Sequence, residues 1–108
     1  MKQHEKTGNL RRENARQHDE KYVISMEDKE IVFLCDLMSN KSGFKHVVQA
    51  RVYSDGHELD RGQVSIQYYN RTWEAWKYQK ACLRAAERSG LSLVDKAIVK
   101  TILMEETP

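Results

Sequence analysis

The stretch Phe44-Lys45-His46-Val47-Val48-Gln49-Ala50-Arg51-Val52-Tyr53 decides the fold. Phe44, His46, Val48, Ala50 and Val52 fall on one face and Lys45, Gln49 and Arg51 on the other, the period of two of a half-buried strand. The run Gln63-Val64-Ser65-Ile66-Gln67-Tyr68-Tyr69 alternates likewise and turns Val64, Ile66 and Tyr68 inward. Ser54-Asp55-Gly56 supplies turn chemistry between them, so the two runs are expected to pair as an antiparallel hairpin with an irregular connection through Arg61-Gly62.

Upstream, the segment from Glu30 to Met38 admits two readings. Ile31, Leu34, Cys35 and Met38 stand at i, i+3, i+4 and i+7, and Ser25 with Asp28 has capping-box spacing, which suits a helix. The same run is β-branched and aromatic and ends at Ser39-Asn40-Lys41-Ser42-Gly43 directly before a strand, which suits the first strand of a meander. The strand is preferred, because two strands alone seldom make a stable sheet.

Downstream the pattern turns helical. Thr72 is placed to cap, Glu74 favours the first turn, and Trp73 to Arg88 runs without Gly or Pro until Ser89-Gly90 offers a left-handed stop. Ser92 with Asp95 forms a capping box for a second helix through Val94, Ala97, Ile98, Ile102 and Leu103, ending near Met104. On the first helix, Ala75, Tyr78, Gln79, Cys82, Ala85 and Ala86 share one arc, with Trp76 and Leu83 at its margin. That arc is the expected core face.

The first 20 residues hold almost no apolar side chains and no period, so they are expected not to recover the entropy of folding against a core. Residues 1–21 are read as a flexible basic arm, with at most a frayed polar helix from Asn9 to Glu20. Residues 22–108 form the single domain. The expected class is α+β: a short antiparallel sheet of two or three strands packed by a C-terminal helical hairpin.

A chain of 108 residues has room for one domain and rarely for a deep catalytic cleft. Its net charge of +2 is too small to demand a polyanionic partner and argues against an acidic DNA mimic. The charge is uneven, however: the arm carries +2, residues 22–70 carry −2 and residues 71–100 carry +4. No run approaches the roughly 18 to 20 apolar residues of a membrane helix, and residues 1–21 contain no apolar signal-peptide core. A cytosolic setting is expected.

Cys35 and Cys82 lie far apart and outside any CxxC, so both are read as small buried apolar residues, and no redox motif, metal knuckle or disulfide framework is expected. His4, His18, His46 and His57 show no metal-ligating spacing, with His46 on the inward strand face. Asp55, Glu58 and Asp60 read as a solvated acidic loop. There is no nucleophile elbow, Walker loop or dinucleotide fingerprint, so no catalytic residue, metal or cofactor is expected.

Opposite the core arc of the first C-terminal helix stand Lys77, Lys80, Arg84 and Arg88, with Trp73 one turn ahead. A basic helical face headed by an aromatic suits phosphates with a stacked base, or an acidic protein surface. In the corner Tyr68-Tyr69-Asn70-Arg71-Thr72-Trp73, Tyr69 and Trp73 flank Arg71, a combination common in interface anchors. The bland reading is that the charges solvate the outer face and the aromatics cement the corner.

The stretch Tyr68-Tyr69-Asn70-Arg71-Thr72-Trp73-Glu74, followed by Tyr78-Gln79, resembles a set of small phage and mobile-element proteins of Gram-positive bacteria. The resemblance covers residues 30–90, and its specific part is that corner. It implies a genomic neighbourhood rich in small inhibitors of host defence, including anti-CRISPR proteins, and in nucleic-acid-binding regulators. The expected function is therefore a non-enzymatic binding protein that occludes a partner handling nucleic acid, such as a CRISPR effector nuclease. Its contact surface would be Tyr69, Arg71, Trp73, Lys77, Lys80 and Arg84, with Arg11, Arg12 and Arg16 as a second clamp. Direct nucleic-acid binding is the rival, and an edge strand leaves room for a homodimer.

Overall fold

The computed structural model describes residues 8–39, 46–68 and 76–105, apart from the side chains of residues 39, 46, 68, 76 and 77. Five strands follow in sequence: β1 (Gly8–Glu13), β2 (Glu20–Met26), β3 (Glu30–Ser39), β4 (His46–Ser54) and β5 (His57–Tyr68). They pair in that order as one antiparallel meander. Two helices, α1 (Trp76–Arg88) and α2 (Leu93–Glu105), complete the described chain. The class is α+β, but the expected sheet of two or three strands is corrected to five.

The two added strands, β1 and β2, both lie at the N-terminal end of the sheet. Gly8–Glu13, read above as part of a flexible arm, is a full edge strand in register with β2 from Gly8↔Met26 to Glu13↔Lys21. Its sequence hides this because Leu10 is its only large apolar residue and packs against the core while charged neighbours line the solvent edge. Charged, short edge strands are how sheets avoid pairing with other chains. The frayed helix expected over Asn9 to Glu20 is likewise replaced by β1, a turn and the start of β2.

At the other end, the hairpin between β4 and β5 is tighter than the sequence suggested. Asp55 and Gly56 have φ of 50° and 85°, the left-handed pair of a two-residue hairpin turn. Glu58 and Asp60 therefore belong to β5, and the expected acidic loop is a strand. The irregularity at Arg61-Gly62 does appear. The register jumps from Tyr53↔Glu58 to Arg51↔Gln63, so the four residues between Glu58 and Gln63 stand opposite Val52 alone. Arg61 takes φ 54° there, and Gly62 lets the strand close over Val52.

A Cβ at Gly62 would lie 2.5 Å from Val52 Cγ1 and 3.0 Å from the Leu59 carbonyl oxygen. Because Val52 is fully buried, Gly62→Ala is expected to destabilise the fold by about 1–3 kcal/mol. A urea midpoint unchanged from the parent would contradict the close approach.

The preferred strand reading of Glu30 to Met38 is what the structure has. β3 is the central strand, with Ile31, Phe33 and Cys35 fully buried toward the helices. Tyr22 and Ile24 from β2, Val48, Ala50 and Val52 from β4, and Val64 from β5 join them on the same face. The expected core arc of α1 largely holds, since Tyr78, Gln79, Cys82, Ala85 and Ala86 are buried, with Ala81 in addition. Its small residues let the helix lie close to β3, β4 and β5.

The helical hairpin turns by a different device from the one read in the sequence. Gly90 is not left-handed; the Ser89 hydroxyl donates to the Ala86 carbonyl at 2.8 Å and accepts from the Leu91 amide at 3.3 Å. The Gly90 amide donates to the Asp60 carbonyl at 2.9 Å, tying the turn to β5. Ser92 then caps α2 by accepting from the Asp95 amide at 3.1 Å, as its spacing implied. α2 crosses back to β1, where a Cβ on Gly8 would approach Ile102 Cδ1 to 3.3 Å. Lys29 Nζ, 2.5 Å from Asp95, anchors the first turn of α2 to the β2–β3 turn.

Candidate interaction surfaces

Because one arc of α1 is committed to the core, the opposite arc must face outward, and there Lys80, Arg84 and Arg88 are exposed. Their four-residue spacing sets three cations in a row, about 6 Å apart along the axis. Glu87, beside Arg88, is the acid exposed on the same helix. The backbone of Lys77 lies in the first turn, while its side chain is among those not described. Tyr69, Arg71 and Trp73, the aromatic half of the expected surface, lie outside the described residues.

The three arginines expected to form a second clamp do not share one surface. Arg11 points off the face of the sheet that the helices leave open, in the same row as Val23 and Val32. It donates from Nε to Glu13 at 2.6 Å and from its terminal nitrogens to Ser25 Oγ at 2.6 Å and Glu30 at 3.1 Å. Arg12 points to the opposite, helix-bearing face, where it pairs with Glu20 at 2.5 Å and lies 6.0 Å from the Tyr22 ring centroid. Arg16 is exposed in the β1–β2 connection and lines an open recess of about 490 Å³ together with Arg12, Glu13, Asn14 and Asp19. Arg11 and Arg12 are thus held by carboxylates on opposite sides of β1.

The Arg11 cluster has a pH signature. The bonds from Arg11, then from Lys21, hold the Glu13 carboxyl below its ordinary value of 4.5, and Glu13 raises Arg11 in return. A folded-state value below the unfolded one means stabilisation that is present above pH 4.5 and is lost as pH falls through the depressed value. An NMR titration should place the Glu13 midpoint below 4.5, and Arg11→Ala should move it upward. A midpoint at or above 4.5 in the parent chain would sink this pairing.

The connection that carries Arg16 is fastened to β3. His18 Nδ1 lies 2.8 Å from Asp36, Asp19 accepts from the Leu37 amide at 2.7 Å, and the Asp19 amide donates to the Cys35 carbonyl at 3.0 Å. The side chain of His46, read as inward, is not among those described.

A surface missed by the sequence reading is the open face of the sheet. The register aligns Val23, Val32 and Tyr53 in one row, Lys21, Leu34 and Arg51 in the next, and Met38 beside Val47 further along. Val23 is fully buried, Val32, Leu34, Val47 and Tyr53 are half-buried, and Met38 is 56% exposed. Arg51 Nε is buried there without a hydrogen-bond partner. The signal was present in Ile31-Val32-Phe33-Leu34-Cys35: an unbroken apolar run on a strand puts apolar side chains on both faces.

Among the described residues, no group of His, Cys, Asp or Glu side chains is arranged to hold a metal ion. No described helix is long and apolar enough to cross a membrane. No protein-family model matches the chain, no curated protein matches it and no solved structure matches it.

Proposed function

We propose that this chain is a small non-enzymatic binding protein that docks through the cationic row of α1 on an acidic surface of a nucleic-acid-handling partner, and acts by occupying that surface. The observation that carries the reading is the row itself. Lys80, Arg84 and Arg88 stand exposed on a helix whose other face is locked to the sheet by Tyr78, Cys82, Ala85 and Ala86. A helix already seated on the sheet has little backbone freedom left to lose on binding, and cations matched to an opposing potential raise both the rate and the selectivity of encounter. With the phage-like corner at residues 68–74, the reading extends to an inhibitor of a host nucleic-acid-targeting defence system, resembling anti-CRISPR proteins and working in the host cytoplasm.

The same row favours a second reading, direct binding to nucleic acid, because three aligned cations also suit a phosphate backbone. One pair of measurements separates the two. Labelled duplex and single-stranded probes are titrated at 50 and 200 mM salt with the parent chain and with Lys80→Ala/Arg84→Ala/Arg88→Ala. Direct binding through three phosphates predicts a loss of affinity of roughly 40-fold for the duplex across that salt range and near-complete loss in the triple variant. The partner reading predicts no probe binding at 50 mM salt. It predicts instead a stoichiometric complex with a nuclease whose cleavage is blocked, and recovery of cleavage with the triple variant. A folded triple variant that blocks the nuclease as well as the parent overturns the assignment to α1.

A further inference from the structure

Cys35 and Cys82 are 47 residues apart in the chain, yet their sulfurs lie 3.2 Å from each other. Both are free thiols with no exposed surface. The first sits on the central strand, between Glu20 of β2 and Ala50 of β4 in the register. The second sits in the middle of α1, where Ala81, Ala85 and Ala86 let the helix backbone come close to the sheet. These are the only two cysteines in the sequence.

We propose that Cys35 and Cys82 form a reversible disulfide that staples α1 to the sheet. A disulfide sulfur separation is roughly 2.05 Å, so the sulfurs need to close by only about 1.2 Å, a change small side-chain rotations can supply. The small residues around Cys82 leave the helix free to follow. A bond closing a loop of this length restricts the unfolded chain strongly, and it would fix the helix that carries Lys80, Arg84 and Arg88. The inference stands independently of the proposed function, since it concerns only the seam beneath that helix.

The oxidant is a small disulfide such as oxidised glutathione. One cysteine gives up its proton, and its thiolate attacks a glutathione sulfur. The glutathione S–S bond breaks, one glutathione thiolate leaves and a mixed disulfide remains. The second cysteine, also deprotonated, attacks the protein sulfur of that mixed disulfide and releases the other glutathione thiolate. The two protein thiols have then lost two protons and two electrons, and the oxidant has become two molecules of reduced glutathione. Burial pushes the Cys82 thiol up, so it stays protonated while α1 is seated. Exchange therefore proceeds when α1 lifts and exposes the seam, and reseating shields the product.

The test incubates the reduced chain in glutathione buffers from fully reduced to fully oxidised, followed by acid quench, alkylation of remaining thiols under denaturing conditions and mass analysis. The expected product lacks two hydrogens, takes up no alkylating agent and yields one cross-linked peptide joining Cys35 to Cys82. Its melting temperature should rise by roughly 10 °C or more and return to the starting value on reduction. Cys35→Ser is at risk of failing to fold, so Cys82→Ala serves as the control. It should accumulate a mixed disulfide and show no rise in melting temperature. Two alkylatable thiols across the whole buffer range, a disulfide-linked dimer as the main product, or an equal rise in Cys82→Ala would overturn the staple.

Discussion

A chain shortened to begin at Asn14 should lose roughly 3–6 kcal/mol of folding stability, a large part of the 5–15 kcal/mol that holds a domain of this kind together. The loss follows from what β1 covers. Leu10 packs against the core, and Gly8 lies where α2 reaches the sheet at Ile102. Val23, fully buried on the open face, stands opposite Arg11 and would lose that neighbour; Tyr22, on the other face, would lose Arg12. Truncation also strips β2 of its outer partner and turns an apolar strand, with Val23 and Ile24 unexposed in the intact sheet, into the new edge. The truncated chain should therefore show a lower urea midpoint and a tendency to associate through β2. An unchanged midpoint and slope would mean that the strand contributes nothing, as expected of a flexible arm.

The same strand marks where the sequence stops being legible. Period two announces a strand only when one face is buried. β4 has Val48, Ala50 and Val52 toward the helices, with Gln49 and Arg51 breaking the apolar run on the other side, so it reads directly. β1 has a single buried-side leucine and is held by backbone pairing and by Arg11 and Arg12 reaching for Glu13, Glu30 and Glu20, none of which leaves a hydrophobic pattern. β3, although the preferred strand reading holds, is ambiguous in sequence for the opposite reason. With apolar side chains on both faces its spacing fits a helix as well as a strand, and only the neighbouring strands decide. The cation row of α1 was readable because helical geometry alone fixes which residues oppose a core arc. The meeting of Cys35 with Cys82, and the separation of Arg11 from Arg12, were not. They depend on strand order and on which face each strand turns to the helices, information carried by no local window.

The central position of β3 sets the second large effect. Phe33 is fully buried, opposite Tyr22 on β2 and Val52 on β4, and is among the largest side chains in the core. Phe33→Ala should cost about 3–5 kcal/mol, because it removes the apolar area and leaves a cavity walled by strands on both sides that cannot collapse into it. Tyr22, its neighbour in the register, should respond with the opposite sign to a gentler change. Its hydroxyl is buried without a hydrogen-bond partner, and burial, followed by the nearby Glu20, drives its ionisation far above the ordinary range. Tyr22→Phe therefore removes an unsatisfied polar atom while keeping the ring, and should stabilise the fold by about 1 kcal/mol. The pair is measured in one urea series with both single variants. If Tyr22→Phe is instead destabilising by a similar amount, the hydroxyl has a partner in solution, and the seam near Cys35 and Cys82 admits water. If Phe33→Ala costs less than about 1 kcal/mol, the helices can settle onto the sheet, and α1 is not the fixed support that the cation row requires.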